Sequence, residues 1–450
     1  MDTRSEFSSR FGFLMAAAGS AVGLGNIWGF PTQTAENGGG AFVLVYLFLT
    51  FVLAYPVLMA ELLIGRHGRT HIMGSLGKIS SGPVSRKASI FISIYALVVV
   101  SLILSFYSIV AGWMLTSFLD PVARLLDMNN VATWLTAFSL ERNLLAGLTF
   151  LVLTVWVINR GVKDGIEAWS SRLMPLMIII IIGLIGYVMT LDGAEEGLRI
   201  FLTPDFSRVL DPELVISALG QAFFSLSLGV GTMMIYGSYV NRKENMVKLG
   251  AYVAILDTSI AVLAGLLIIP AMYVAQHNGV SIYAADGSLL SGDTLVFSVL
   301  PQLFSSLGSA EIPLSLFFFA LLSIAALTSS ISMLEVPVAY VSEDSRFHSS
   351  RHRAAYLMAI IVAIMVITIL FNFESLFGLV IGFTTQISQP LIGILFCIYA
   401  GWIWQRNSVL KELAQGNPEV ANSLFWRIWP NYIRFVCPIL LGLVYWQSLS

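Results

Sequence analysis

"GSAVGLGNIWGFP", Gly19 to Pro31, lies inside the first long apolar run of the chain. These thirteen residues carry four glycines, a proline, an asparagine and a serine. In a membrane helix such residues free backbone groups that lipid cannot satisfy. Interrupted backbone is tolerated at that depth only where it is buried in protein or lines a polar cavity. The stretch therefore predicts a membrane helix broken for a purpose.

Composition supports the membrane part of that reading. The chain has 450 residues, is 57% hydrophobic and 11% charged, and has a mean hydropathy of +0.83. Soluble domains carry about 25% charge. Apolar runs long enough to cross a bilayer recur from end to end. A net charge of −2 without a basic block argues against nucleic acid as a partner. Cys397 and Cys437 lie in apolar runs and show neither a disulfide framework nor zinc spacing. The opening MDTRSEFSSR lacks the pattern of a cleaved signal, so the first helix is expected to be retained.

Eleven spans are expected, near 11–32, 40–65, 88–119, 144–160, 166–190, 213–240, 247–277, 313–342, 354–372, 375–405 and 426–447. With the N-terminus inside, eighteen of the 24 lysines and arginines fall on the cytoplasmic side. That bias orients the chain, and an odd number of spans puts the C-terminus outside. Residues 278–312, moderately apolar but interrupted by glycine and proline, read as an outer loop with a short re-entrant helix, a lid. The five histidines fall in connections or at span ends and read as solvated.

A second break is expected in the sixth span. "GQAFFSLSLGVG", Gly220 to Gly231, puts Ser225, Ser227, Gly229 and Gly231 at mid-membrane. Gly19 and Gly23 alone could be a helix-packing pair. Matched breaks opening two successive sets of five spans point instead to inverted repeats, here 11–190 and 213–405, with a site at the midplane. Two carboxylates lie deep in apolar runs: Asp257 in "AILDTSIAVLAGLL" and Glu61 in "PVLMAELLIGR". An aspartate at the centre of a membrane helix costs about 2.5–3.5 kcal/mol on insertion scales and marks a functional site by default.

The motifs "GSAVGLGN" with "FP", then "AENGGGAF" (Ala35–Phe42), "GQAFFSLSLGVG" and "ALTSSIS" (Ala326–Ser332), resemble, in order and spacing, the neurotransmitter:sodium symporter family in its bacterial eleven-span form. The resemblance covers essentially the whole chain. It implies the all-α leucine-transporter fold, with two sets of five helices, broken helices 1 and 6 and one further helix. The architecture is thus partly known from that family. A sodium-coupled symporter working by alternating access is implied, with two sodium sites. The first is Ala21, Asn26, Ser225 and Asp257 with the substrate carboxylate. The second is Gly19, Val22, Ala325, Thr328 and Ser329. Substrate contacts fall on Ala21, Gly23, Gly25, Ile103, Tyr107, Phe224, Ser225, Ser227, Val230, Ser330 and Met333. Family members that take monoamines resemble this chain but carry aspartate where Gly23 stands, so glycine favours a substrate with its own carboxylate. Asp257 supplies a fixed charge that removes the need for chloride. Glu61 is expected to accept hydrogen bonds from amides freed at the breaks. The cytoplasmic gate falls on Arg4, paired with Glu343, and on Phe7 and Tyr239.

The chain departs from the family at the outer gate. Gly29 stands where an arginine is common, and "SLFGLVIGFTTQIS" (Ser375–Ser388) lacks the matching acid. Phe224 and Trp28 are the expected replacements. The uncharged pocket suits a neutral, hydrophobic amino acid imported from the outside of a bacterial inner membrane. Another zwitterion, betaine- or taurine-like, or a non-transporting sensor on the same fold, remains open. No hydrolase or metalloprotease motif, and no charged ring or filter of a channel, is present in the sequence.

Overall fold

The computed structural model describes residues 5–282, 297, 299–344, 346–347 and 349–448. Among these residues the chain is helical, without strands. The N-terminal break is plain. α1 (Arg10–Ala21) and α2 (Gly25–Glu36) meet at 56° and together suffice to cross a membrane. The next four helices are long and apolar enough to span alone: α3 (Gly40–Gly68), α4 (Pro83–Leu125), α5 (Leu140–Ile158) and α6 (Val162–Val188). Two short helices follow, α7 (Pro212–Ser225) and α8 (Thr232–Ser238). Five more span alone: α9 (Met246–His277), α10 (Gly308–Glu343), α11 (Arg351–Phe371), α12 (Phe373–Ile403) and α13 (Leu424–Gln447). That makes nine unbroken spans, or ten with the bent pair, among the described residues. The eleven of the sequence reading require α7 and α8 to cross together.

Local chemistry explains the breaks. Ser9 starts α1 by accepting the Gly12 N–H on its hydroxyl, the usual helix-capping bond. The helix stops at Ala21 because Val22 turns extended, with φ −71° and ψ 102°. Asp211 caps α7 on the Glu213 N–H, and Pro212 occupies the first turn. Between α7 and α8 the backbone enters the left-handed region three times, at Ser227 (φ 51°), Gly229 (φ 76°) and Gly231 (φ 81°). Glycine makes two of these turns free of strain. At Ser227 the same conformation costs about 1–2 kcal/mol.

Burial sorts the helices into centre and rim. The most apolar windows of α4, α9 and α10 are each 61% buried, against 28% for α6, 33% for α11 and 22% for α13. α10 runs along α4 and also meets α1, α5 and α6, while α8 packs on α3. Both breaks therefore sit in the interior. Of the expected lid, residues 283–296 and 298 lie outside the described residues; Leu300–Ser306 is a short helix against α9 and α10. Cys397 and Cys437 are buried free thiols.

One basic residue lies deeper than a surface charge, and one reading needs correction. Arg66, counted among cytoplasmic charges, is fully buried. Its Nε donates to Glu412 Oε1 at 2.7 Å, and its other nitrogens donate to the carbonyls of Glu412 and Glu244. Burial alone would raise the Glu412 carboxyl, but the bonds from His67 and Arg66 outweigh it and hold the group below its usual range. His71 is not solvated either: it is 7% exposed, and its Nδ1 accepts the Gly74 N–H.

Candidate substrate and ion site

α1 ends at Ala21, which shares a cavity wall with Ser225 of a buried polar cluster. Asn26, in the first turn of α2, donates through Nδ2 to Ser225 Oγ at 2.8 Å and Asp257 Oδ1 at 2.7 Å. Ser225 Oγ donates to Asp257 Oδ2 at 2.8 Å. Three elements far apart in sequence thus place Asn26, Ser225 and Asp257 together, none more than 1% exposed. The Asn26 amide oxygen accepts the Gly23 N–H at 3.2 Å, so in this arrangement it faces the backbone and the amide nitrogen faces the carboxylate. Oxygen and nitrogen of an amide exchange by a simple flip. Tyr46 completes the cluster, donating its hydroxyl to Ser225 Oγ at 3.1 Å. The sequence reading missed it, although a tyrosine inside an apolar span needs a polar partner.

A second cluster joins α1 to α10. The Ser329 hydroxyl lies within hydrogen-bond reach of the carbonyls of Gly19 (3.3 Å), Ser20 (3.4 Å) and Val22 (3.2 Å). Thr328 Oγ1 points to the carbonyls of Ile324 and Ala325, both at 3.1 Å. The donor set is carbonyl and hydroxyl oxygen, the chemistry a hard monovalent cation prefers. The Ser20 carbonyl, which the sequence reading did not single out, also accepts the Ser227 hydroxyl at 2.9 Å.

Between the two clusters lies a cavity of about 40 Å³. Its lining includes ten of the eleven expected substrate contacts: Ala21, Gly23, Gly25, Ile103, Tyr107, Phe224, Ser225, Ser227, Val230 and Met333. Ser330 is not on this wall; it is buried behind it, and its hydroxyl has no partner among the described residues. Tyr107 accepts the Leu24 N–H on its hydroxyl at 3.2 Å, at the start of α2. Gly23 has no room for a side chain. A Cβ there would lie 2.6 Å from Ser329 Oγ and 2.8 Å from the Tyr107 hydroxyl.

Above the cavity, away from the N-terminal face, a vestibule of about 790 Å³ is lined by Trp28, Gly29, Trp113, Gln221, Phe224, Phe377 and Gln386, among others, with no charged side chain among the described residues of its wall. Gln221 Nε2 donates to the Gly25 carbonyl at 2.8 Å and lies beside Gly29. Aromatic rings gather where the ion pair of the family would stand: Trp28–Phe297 at 5.9 Å, Trp113–Phe297 at 6.0 Å and Trp113–Phe377 at 5.6 Å.

The N-terminal face is closed. Phe7 is buried edge-on against Phe13, Tyr236 and Tyr239, and its N–H donates to the Tyr239 carbonyl at 3.1 Å. Arg4 lies outside the described residues. Glu343, its expected partner, accepts from the Thr70 hydroxyl and the His71 N–H. Other contacts secure this face. Glu6 pairs with Arg69 at 2.6 Å, and Glu167 accepts both the N–H (2.7 Å) and the hydroxyl (2.6 Å) of Ser8. Glu335, fully buried, takes two bonds from Arg351 (2.9 and 2.6 Å) and one from the Tyr239 hydroxyl (2.6 Å). The sequence reading passed over Glu335, although a lone acid in the apolar run of α10 marked it. Breaking a buried pair costs about 3–5 kcal/mol. Glu335→Gln is therefore expected to loosen this face, with amide hydrogen exchange at Phe7 and Ser8 at least tenfold faster. Unchanged exchange there would separate the pair from the closure.

The chain and its fold match known proteins over nearly their whole length. A sequence profile of the Sodium:neurotransmitter symporter family matches residues 4–137 and 122–450. The uncharacterized sodium-dependent transporter YhdH of Bacillus subtilis (strain 168) is 33% identical over 98% of this chain and 96% of its own. An uncharacterized sodium-dependent transporter of Haemophilus influenzae is 30% identical over 99% and 98%. The crystal structure of MhsT in complex with L-phenylalanine superposes with a TM-score of 0.84 at 34% identity, covering 99% of this chain and 100% of MhsT. A broken-helix site inside such a fold, matched end to end, places the chain in the sodium:neurotransmitter symporter family, as an integral membrane protein of sodium-coupled transport.

Proposed function

We propose that the protein imports a neutral, hydrophobic amino acid with sodium, without chloride, by alternating access. The observation that carries this reading is the cavity at Gly23. It is walled by Ile103, Phe106, Phe224, Val230 and Met333, holds no charged side chain, and has backbone where an amine transporter would need an acid. The substrate carboxylate meets the amides around Gly23–Gly25 and the Tyr107 hydroxyl. The ammonium meets the carbonyls of Ala21, Phe224 and Ser225. The relative MhsT binds L-phenylalanine, which suits a wall of this kind.

Two sodium ions accompany the substrate. One takes the Ala21 carbonyl, an Asn26 side chain flipped to present oxygen, Ser225, Asp257 and the substrate carboxylate. Ion and substrate thereby raise each other's affinity. The other takes Gly19, Val22, Ala325, Thr328 and Ser329. The negative charge of Asp257 beside the first ion makes an added anion unnecessary. Residues 11–190 and 213–405 form the two repeats of a single domain, with α13 outside them. The closed N-terminal face is the cytoplasmic side of a bacterial inner membrane, and the C-terminus lies outside.

Binding of labelled L-phenylalanine to the purified protein tests this in sodium chloride, sodium gluconate and potassium chloride. Equal affinity in both sodium salts and a loss of at least a hundredfold in potassium are expected. Dependence on chloride would overturn the role given to Asp257. Absence of any sodium-dependent ligand in a panel of amino acids and other zwitterions would overturn the reading. Accumulation in potassium-loaded liposomes placed in sodium distinguishes transport from sensing.

A further inference from the structure

One peptide group in the α7–α8 break is held from both sides. The Gly229 N–H donates to Glu61 Oε1, on α3, at 2.7 Å. The Leu228 carbonyl, the other half of the same peptide, accepts the Gln389 Nε2, on α12, at 2.7 Å. Glu61 is fully buried and Gln389 is 2% exposed. The backbone of Gln389 presses on the same turn: a Cβ at Gly229 would lie 2.3 Å from the Gln389 carbonyl oxygen. The other polar atom of each clamping side chain, Glu61 Oε2 and Gln389 Oε1, is buried without a hydrogen-bond partner among the described residues. A buried donor or acceptor left alone costs about 1–3 kcal/mol. Two such oxygens accepted around one peptide indicate that the placement of these side chains is set by the break.

We propose that Gln389 is a positioning residue for substrate: through its bond to the Leu228 carbonyl it fixes the turn that presents Ser227 and Val230 to the cavity. This rests on the reading of that cavity as the substrate site. Leu228 stands between two left-handed residues, Ser227 and Gly229, so rotation of the 228–229 peptide moves both neighbours. Ser227 and Val230 line the cavity, and Gln389 lines both the cavity and the vestibule above it. Glu61 holds the donor half of the peptide and Gln389 the acceptor half. Only the amide of Gln389 can serve the Leu228 carbonyl, since an ionised carboxylate has no proton to donate. The clamp also ties α12 to the break, so a movement of α12 reaches the substrate without touching it. The titratable groups around Gln389 are Glu61 across the peptide and Tyr107 across the cavity.

The test is sodium-dependent phenylalanine binding by wild type, Gln389→Met and Gln389→Glu from pH 5 to pH 8. Methionine keeps the volume and removes the bond, and the dissociation constant is expected to rise about tenfold, one lost hydrogen bond. Glutamate donates only when protonated. Its affinity is expected near wild type at pH 5 and at least tenfold weaker at pH 8, whereas wild type changes less than threefold. If Gln389→Met does not fold, the pH profile of Gln389→Glu decides alone. Wild-type affinity in both variants, or a weakening of Gln389→Glu that is the same at every pH, overturns the positioning role. Failure of the wild type to bind any sodium-dependent ligand would instead overturn the functional reading beneath it.

Discussion

Sodium-dependent uptake falls at least a hundredfold when Asp257 is replaced by asparagine, at equal amounts of protein in the membrane. Asp257 is fully buried and receives the Asn26 amide and the Ser225 hydroxyl on separate oxygens, at 2.7 and 2.8 Å. Asparagine keeps the shape and removes the charge on which the proposed first sodium site relies. Removing one partner from a buried ion pair costs about 3–5 kcal/mol, a factor of roughly 10²–10⁴. Flux against sodium concentration measures it, with the loss appearing as a rise in the sodium needed for half-maximal rate. A second variant separates charge from geometry. Asp257→Ser leaves space, and chloride is expected to restore part of its uptake while gluconate does not. Uptake by Asp257→Asn within threefold of wild type would remove Asp257 from the ion site.

A comparable loss is expected from a single methyl group at Gly23. Its Cβ would fall 2.6 Å from Ser329 Oγ and 2.8 Å from the Tyr107 hydroxyl, distances that real Cβ atoms do not show. The methyl of Gly23→Ala must displace the serine that gathers the Gly19, Ser20 and Val22 carbonyls, the tyrosine that meets the Leu24 N–H, or both. One substitution thus disturbs both the proposed second ion site and the proposed carboxylate cradle. Overpacking costs about 1–3 kcal/mol, and a misplaced cradle adds the loss of the substrate bonds. Phenylalanine affinity is expected to fall at least a hundredfold with the protein still folded, as read by isothermal titration alongside thermal unfolding. Gly23→Asp, which would suit an amine, is expected to bind no better, because the same atoms block its Cβ.

What the sequence disclosed follows a physical pattern. The two breaks and Asp257 were legible because glycine clusters and a lone carboxylate are costly in lipid and therefore conspicuous. The family motifs then assigned neighbours to them. Tyr46 and Gln389 escaped because a single polar residue in an apolar run gives no hint of its partner. Ser225 lies 179 positions from Tyr46, and Leu228 lies 161 from Gln389. The partner of Arg66 was not legible because hydropathy cannot tell a surface arginine from one enclosed by Glu412, 346 positions away. Glu167 was invisible for the same reason: its role depends on Ser8, 159 positions earlier. Where two groups must meet, sequence reveals the need, and only folding reveals the answer.

The two faces of the molecule are fastened by different forces, and temperature and salt act on them unequally. The vestibule end offers rings of Trp28, Trp113, Phe297 and Phe377, with no charge among the described residues of the vestibule wall. Contacts between such surfaces weaken on cooling and are strengthened by excluded salts such as sulfate. The N-terminal end is held in part by Glu6 and Arg69, whose side chains are 37% and 18% exposed. Pairs of that kind are screened as ionic strength rises. Cold therefore favours the molecule open at its aromatic end, while concentrated salt loosens its charged end, so the two half-cycles of one transporter carry opposite environmental signatures.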